Sequence, residues 1–188
     1  MENSSAKWAI GSRTARHRDV QSTAAVALAR SGDVKQANKL AADLAKTFPL
    51  DTLVQKYWLP TIRAALAIER KKPGQAIEQL KPADRVEMGA PISFVMALYP
   101  AYLRGEAYLM RHDGAAAAAE FSKFIDHRGL VGNFPLGALA RLGLARAYAL
   151  QGEKGKARTT YEDFLTLWKD GDAETPILKQ AKAEYAKL

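Results

Sequence analysis

The chain has 188 residues, 48% apolar and 26% charged, which suffices for one sizeable core and is too apolar for a disordered segment. It has no cysteine, which excludes a disulfide framework, thiolate catalysis and a cysteine zinc site. The net charge of +8 is spread out, with +4 in residues 1–50, +2 in each of the next two blocks of fifty and zero in residues 151–188, so it steers acidic partners rather than forming a nucleic-acid stripe.

Residues 1–15 hold no apolar run of signal-peptide length and read as an N-terminal tail or a frayed helix. From residue 16 to residue 172 the sequence repeats itself. The first repeat, residues 16–50, carries Ala25 and Leu28, a turn at Gly32-Asp33, then Ala37 and Ala41, and ends at Pro49. The second, residues 53–88, carries Ala64 and Ala67, the turn Lys72-Pro73-Gly74, then Ala76 and Leu80. The third, residues 92–128, has Gly105 and Tyr108, the turn His112-Asp113-Gly114, then Ala117 and Phe121. The fourth, residues 135–170, has Ala145 and Tyr148, the turn Gly152-Glu153, then Ala157 and Tyr161. Residues 173–188 open on Thr175-Pro176 and alternate Lys and Glu with a few apolar side chains, as a capping helix would.

The second-helix alanines Ala37, Ala76, Ala117 and Ala157 are spaced by 39, 41 and 40 residues. Paired helices joined by a short turn meet at small side chains, so Gly105 or Ala145 is expected to face Ala117 or Ala157. The aromatics Tyr108, Phe121, Tyr148 and Tyr161 then fill the wedge beside that meeting. A single hairpin cannot bury its own apolar face, so neighbours stack. The expected fold is all-α: a right-handed superhelical solenoid of about four hairpins with a C-terminal capping helix. The longest uncharged run, residues 88–103, holds Pro91 and Pro100 and is shorter than the roughly 18–20 residues a spanning helix needs, so it reads as a buried repeat helix. No membrane span is expected, and the reading is a cytoplasmic protein.

The pattern of Gly105, Tyr108, Ala117 and Phe121 resembles the tetratricopeptide repeat, whose period is about 34 residues. The surplus falls at residues 85–91 and 126–137, both rich in Gly and Pro. The runs Tyr102-Leu103-Arg104-Gly105-Glu106-Ala107-Tyr108, Asn133-Phe134-Pro135-Leu136-Gly137 and Ile177-Leu178-Lys179-Gln180-Ala181 resemble the C-terminal tetratricopeptide regions of bacterial eukaryotic-like serine/threonine protein kinases. That resemblance covers residues 18–188. It implies a non-enzymatic scaffold or regulatory module, a piece of a longer signalling protein, that holds a protein or peptide segment in a concave groove lined by the first helices. The groove positions it implies are Arg30 (beside Val26), Trp58, Thr61, Glu69, Tyr99, Tyr102, Glu106, Met110 and Arg146 (beside Leu142). Trp58, Tyr99 and Tyr102 would be aromatic anchors, or else pack between repeats. Arg30 and Arg146 would pair with carboxylates of an acidic peptide. The Lys/Asn clamp that grips a C-terminal carboxylate in some members is not expected, because Ser22, Val26, Leu142 and Arg146 occupy its positions.

Catalytic motifs fail on spacing. Arg16-His17-Arg18-Asp19 contains a His-Arg-Asp triplet, but Ala24 stands where a kinase catalytic loop has its metal-binding asparagine. His17, His112 and His127 lie far apart, so no metal site is expected. Glu162-Asp163 occupy adjacent helical positions and cannot share one site. The sequon Asn3-Ser4-Ser5 has no secretion signal beside it. No cofactor is expected. Two alternatives stay open: a nucleic-acid-binding helical repeat, motivated by the net charge and disfavoured by its spread, and a self-association module.

Overall fold

The computed structural model describes residues 4–89, 97–132 and 134–188, with side chains from residue 17 onward. Residues 90–96 of the uncharged stretch, Pro91 included, lie outside the described residues, as do Asn3 and Asn133. Within them the chain is all-helical, with ten α-helices and no strand. It divides into two units, Met1–Val86 and Glu87–Leu188. The first holds α1 (Ser4–Arg30), α2 (Val34–Thr47), α3 (Leu59–Glu69) and α4 (Pro73–Leu80). The second holds α5 (Tyr99–Met110), α6 (Gly114–Asp126), the single turn α7 (Arg128–Val131), α8 (Pro135–Leu150), α9 (Lys154–Leu167) and α10 (Pro176–Tyr185).

Proline sets several of these boundaries. Pro73, Pro100, Pro135 and Pro176 sit in first helical turns, where the missing N–H has no partner to lose. Pro60 follows a π-helical turn, Val54–Trp58, in which the Leu59 N–H reaches back to the Val54 carbonyl. The ring at position 60 removes the next donor and widens the ladder there. Pro82 ends α4, and a 3-10 turn, Lys81–Ala83, keeps Ala83 buried. α1 starts at Ser4, so residues 4–15 have helical backbone.

Four helix pairs, α1–α2, α3–α4, α5–α6 and α8–α9, are closed by the same three-residue turn. Its middle residue is left-handed: Gly32 (φ 84°), Lys71 (57°), His112 (58°) and Gly152 (75°). The next N–H donates back across the turn to the fifth residue before it. Asp33 bonds the Leu28 carbonyl at 2.9 Å, Lys72 that of Ala67 at 2.9 Å, Asp113 that of Tyr108 at 3.0 Å and Glu153 that of Tyr148 at 3.0 Å. This is a Schellman end, in which two orphan carbonyls of the first helix are satisfied. Asp33 and Asp113 also cap the second helix by accepting from the N–H groups of Gln36 and Ala116.

Burial repeats with the turn. The small residue on each first helix (Ala25, Ala64, Gly105, Ala145) and the alanine on each second helix (Ala37, Ala76, Ala117, Ala157) are all buried. So are the positions four and seven residues past each alanine: Ala41 and Leu44, Leu80 and Ala83, Phe121 and Phe124, Tyr161 and Phe164. That is the i, i+4, i+7 stripe of an amphipathic helix. Within unit 1, α3 packs on both α1 and α2; within unit 2, α8 packs on both α5 and α6, and α10 covers α9.

One expectation about the contact changes. Gly105 was paired with Ala117, but it is Phe121 that occupies the space in front of it. A methyl group at Gly105 would lie 2.6 Å from Phe121 Cζ, and one at Gly143 of α8 would lie 2.5 Å from the same atom. The tip of one ring therefore enters a slot where two neighbouring helices both lack a Cβ.

Candidate functional site

The nine residues implied for the groove are treated differently by the fold. Trp58 and Thr61 are fully buried in unit 1. The Trp58 ring stands edge-on to Tyr57 at 5.3 Å, and the Thr61 hydroxyl donates to the Tyr57 carbonyl at 2.6 Å. Both are corrected from groove residues to interior ones. The helix that Trp58 leads into and Thr61 belongs to, α3, is buried on nearly every side, from Leu59 through Ile68 with Arg63 the exception. Arg30 and Glu69 are brought together as a half-buried ion pair at 3.5 Å between α1 and α3. In unit 2, Tyr102 packs edge-on to Phe121 and Phe124, and Tyr99 lies 6.0 Å from Tyr102. Both tyrosines are half-buried against the core. Glu106 and Met110 are half-buried on α5. Arg146 is engaged by the capping helix: its Nε and Nη2 donate to Glu184 at 2.9 and 3.1 Å. The Tyr161 hydroxyl donates to the same carboxylate at 2.9 Å. Burial first, and the neighbouring carboxylate next, push the Tyr161 pKa well up.

The motifs set aside on spacing have structural roles. Arg18 of the His-Arg-Asp triplet donates to Asp19 at 2.7 Å and to Asp51 at 2.9 Å, while Asp51 accepts the N–H of Val54. This ties α1 to the connection that leads into the π-helical turn. Burial opposes the Asp51 charge, but Arg18 and the backbone donors outweigh it and hold the carboxyl below its usual range. Glu162 accepts from the Tyr185 hydroxyl at 2.6 Å. Among the described residues no three His, Asp or Glu side chains converge as a metal-ion site. None of the described helices is long and apolar enough to cross a membrane.

One cluster of charges was not anticipated. Arg104 of α5 and Glu87, at the start of unit 2, are nearly fully buried, 4% and 3% exposed. Arg104 Nη2 donates to both Glu87 oxygens at 2.7 Å, and Arg104 also bridges to Glu120 of α6 at 3.1 Å. Lys123 closes the set, 3.0 Å from Glu87 and 2.8 Å from Glu120. Burial works against the Arg104 charge, but Glu120 and Glu87 more than offset it, and its pKa is raised. Two acids and two bases neutralise one another, so the quartet pins the Glu87 segment to the α5–α6 hairpin. Removing one member would strand buried charge, a cost on the order of 3–5 kcal/mol.

Two concavities are lined by described residues. In unit 1 a small one of 160 Å³ lies along α3, lined by Arg63, Arg70, Asn38, Gln75 and Gln79. In unit 2 a cleft of 580 Å³ lies between the end of α6, α7, the start of α8 and the end of α9. Its apolar walls are Phe124, Phe134, Leu167 and Trp168, and its cations are Arg128 and Arg141. Of these, the sequence had singled out only the surrounding insertion, residues 126–137. That surplus forms α7, which is held against α8 where a methyl group at Gly137 would lie 3.0 Å from Val131 Cγ1. No family profile matches this chain, and no curated protein or solved structure compared with it matches.

Proposed function

We propose that the chain is a tetratricopeptide-like solenoid, a non-enzymatic module that binds a segment of another polypeptide in the cytoplasm. The observation that carries this reading is the fourfold recurrence of one hairpin: the same Schellman turn, the same buried small residues, and the same packing of one hairpin on the next within each unit. Stacked hairpins of this kind expose extended surfaces whose use is to hold other chains. The residues resembling bacterial serine/threonine kinase regions support a regulatory role beside a catalytic domain. The groove as first drawn is narrowed by Trp58 and Thr61, which are interior, and by Arg30 and Arg146, which are engaged by acids of the same chain. The remaining groove positions, Tyr99, Tyr102, Glu106 and Met110, are half-buried.

Selection from a random peptide display library, with RNA and DNA oligomers as competitors, tests the reading. Peptides are expected to be enriched, with dissociation constants in the range of about 1–100 μM, and not to be displaced by nucleic acid. No enriched peptide, together with nucleic-acid binding that weakens steeply with salt, would overturn it in favour of a nucleic-acid repeat.

A further inference from the structure

We infer that the 580 Å³ cleft of unit 2 is a docking site for a peptide segment that presents a large apolar side chain flanked by carboxylates. The inference rests on the polypeptide-binding reading above and gives it a location outside the first-helix groove. Four observations carry it.

The first is size: the volume falls within the roughly 300–1,000 Å³ of ligand-holding clefts. The second is charge. Arg128 and Arg141 line the cleft, and among the described residues no acidic side chain lines it and neither arginine has an acidic partner. Arg141 makes only a long bond of 3.5 Å to the Gly137 carbonyl. These guanidinium groups differ from Arg30, Arg104 and Arg146, each of which is paired with an acid of the same chain. The third is chemistry. Leu167 is 57% exposed, and Trp168, half-buried and stacked on Phe164 at 5.7 Å, also lines the cleft. Tryptophan and arginine around an apolar depression are the side chains enriched at energetic centres of protein interfaces. A small-molecule site would instead place buried, convergent polar groups on its ligand, and here Arg128 is exposed and Arg141 only half-buried. The fourth is the origin of the cleft. It is built by α7, inside the surplus of residues beyond a minimal repeat. Surface insertions held by a rigid scaffold are where binding residues concentrate.

The test uses the whole chain. Peptides selected from the random library are titrated while Trp168 emission is followed, with Trp168→Phe identifying the signal. Enriched sequences are expected to pair Phe, Leu or Trp with adjacent Asp or Glu and to shift Trp168 emission. Their affinity is expected to fall at least about tenfold in Arg128→Glu/Arg141→Glu and to weaken with salt. It is expected to stay unchanged in Arg63→Glu/Arg70→Glu, which reverses the other cleft. Circular dichroism confirms folding, and Arg128→Gln, at an exposed position, serves if the double reversal fails to fold. Peptides that bind the Arg128/Arg141 variant as tightly as the parent would remove this site and leave the polypeptide-binding reading standing. A library that yields no binder would overturn both. Saturable dodecanoate binding that no peptide displaces would overturn the inference in favour of a small apolar acid.

Discussion

Gly105→Ala tests how tightly the hairpins of unit 2 are interlocked. The added methyl would lie 2.6 Å from Phe121 Cζ, where ordinary carbon–carbon separation is about 3.5–4.0 Å, an overlap of about 1 Å. The ring is 1% exposed, and Gly143 of α8 meets the same edge at 2.5 Å, so the side chain cannot yield without moving α6. Overpacking of this sort costs about 1–3 kcal/mol, and the upper end applies where nothing can give. Against it stands a gain of up to about 1 kcal/mol from replacing glycine inside a helix. The expected net loss is about 2 kcal/mol, seen as a lower urea midpoint by circular dichroism and by Trp168 emission, which reports on unit 2. Phe121→Leu shortens the obstructing side chain, so in that background Gly105→Ala should become neutral or stabilising. The cycle should give a coupling of about 2–3 kcal/mol. Gly155→Ala is the control, since nothing lies within 4 Å of a methyl there. A coupling under about 0.5 kcal/mol, or a Gly105→Ala variant that gains stability as Gly155→Ala does, would refute the slot.

The turns give a second prediction. Lys71 and His112 adopt the left-handed conformation that Gly32 and Gly152 occupy in the other two hairpins, a strain of about 1–2 kcal/mol per residue. After subtracting the larger unfolded-state entropy of glycine, Lys71→Gly and His112→Gly should each stabilise by about 0.5–1 kcal/mol. Gly32→Ala and Gly152→Ala should each cost about 1 kcal/mol, purely through the backbone, since no atom lies within 4 Å of the new methyl in either case. Thermal denaturation checks all four, and a loss on His112→Gly would count against the account. A third prediction concerns acid. The folded pKa of Asp51 lies below its unfolded value of about 3.9, so its contribution is fully present above that value and is lost as pH falls through the folded one. Asp51→Asn should narrow the gap in urea midpoint between about pH 6 and about pH 2.5, and an unchanged gap would exclude the Arg18–Asp51 pair as its source.

What could be read from the sequence follows from which positions have only one role. The turns were legible because each must place a left-handed residue and a cap at fixed distance from the small residues, and Gly32, Asp33, Asp113 and Gly152 suit those duties. The second helices were legible because a single face is buried: α2 hides Ala37, Ala41 and Leu44 and exposes most of the rest. The capping helix was legible from Pro176, and its buried Leu178 and Ala181 follow the expected spacing. The charge quartet was not, because Glu87 and Glu120 are far apart in sequence and Arg104 looks like any surface arginine on an apolar helix. Its only trace is that an arginine sits beside Gly105, on the face that must touch another helix.

Trp58 and Thr61 are interior rather than groove residues for the complementary reason. A first helix that packs on its own partner and on the neighbouring hairpin is buried around most of its circumference. α3 buries nine of its residues, and α8 buries eight. A helix that is apolar all round offers no periodicity from which to choose the open face. An aromatic such as Trp58 therefore looks like an anchor and is in fact filling. The same crowding constrains function. On the proposed reading, with Arg30 and Arg146 taken up by Glu69 and Glu184, recognition would draw on side chains outside the repeat's packing scheme, Arg141 of α8 among them. In unit 2 those are the side chains of the 126–137 insertion and of the exit from α9. There Arg128 and Leu167 are exposed, and Trp168, although it caps α9 and stacks on Phe164, still lines the cleft. Residues that the fold does not need are free to be chosen for a partner. A repeat longer than its minimal period is the sequence signal that such residues exist.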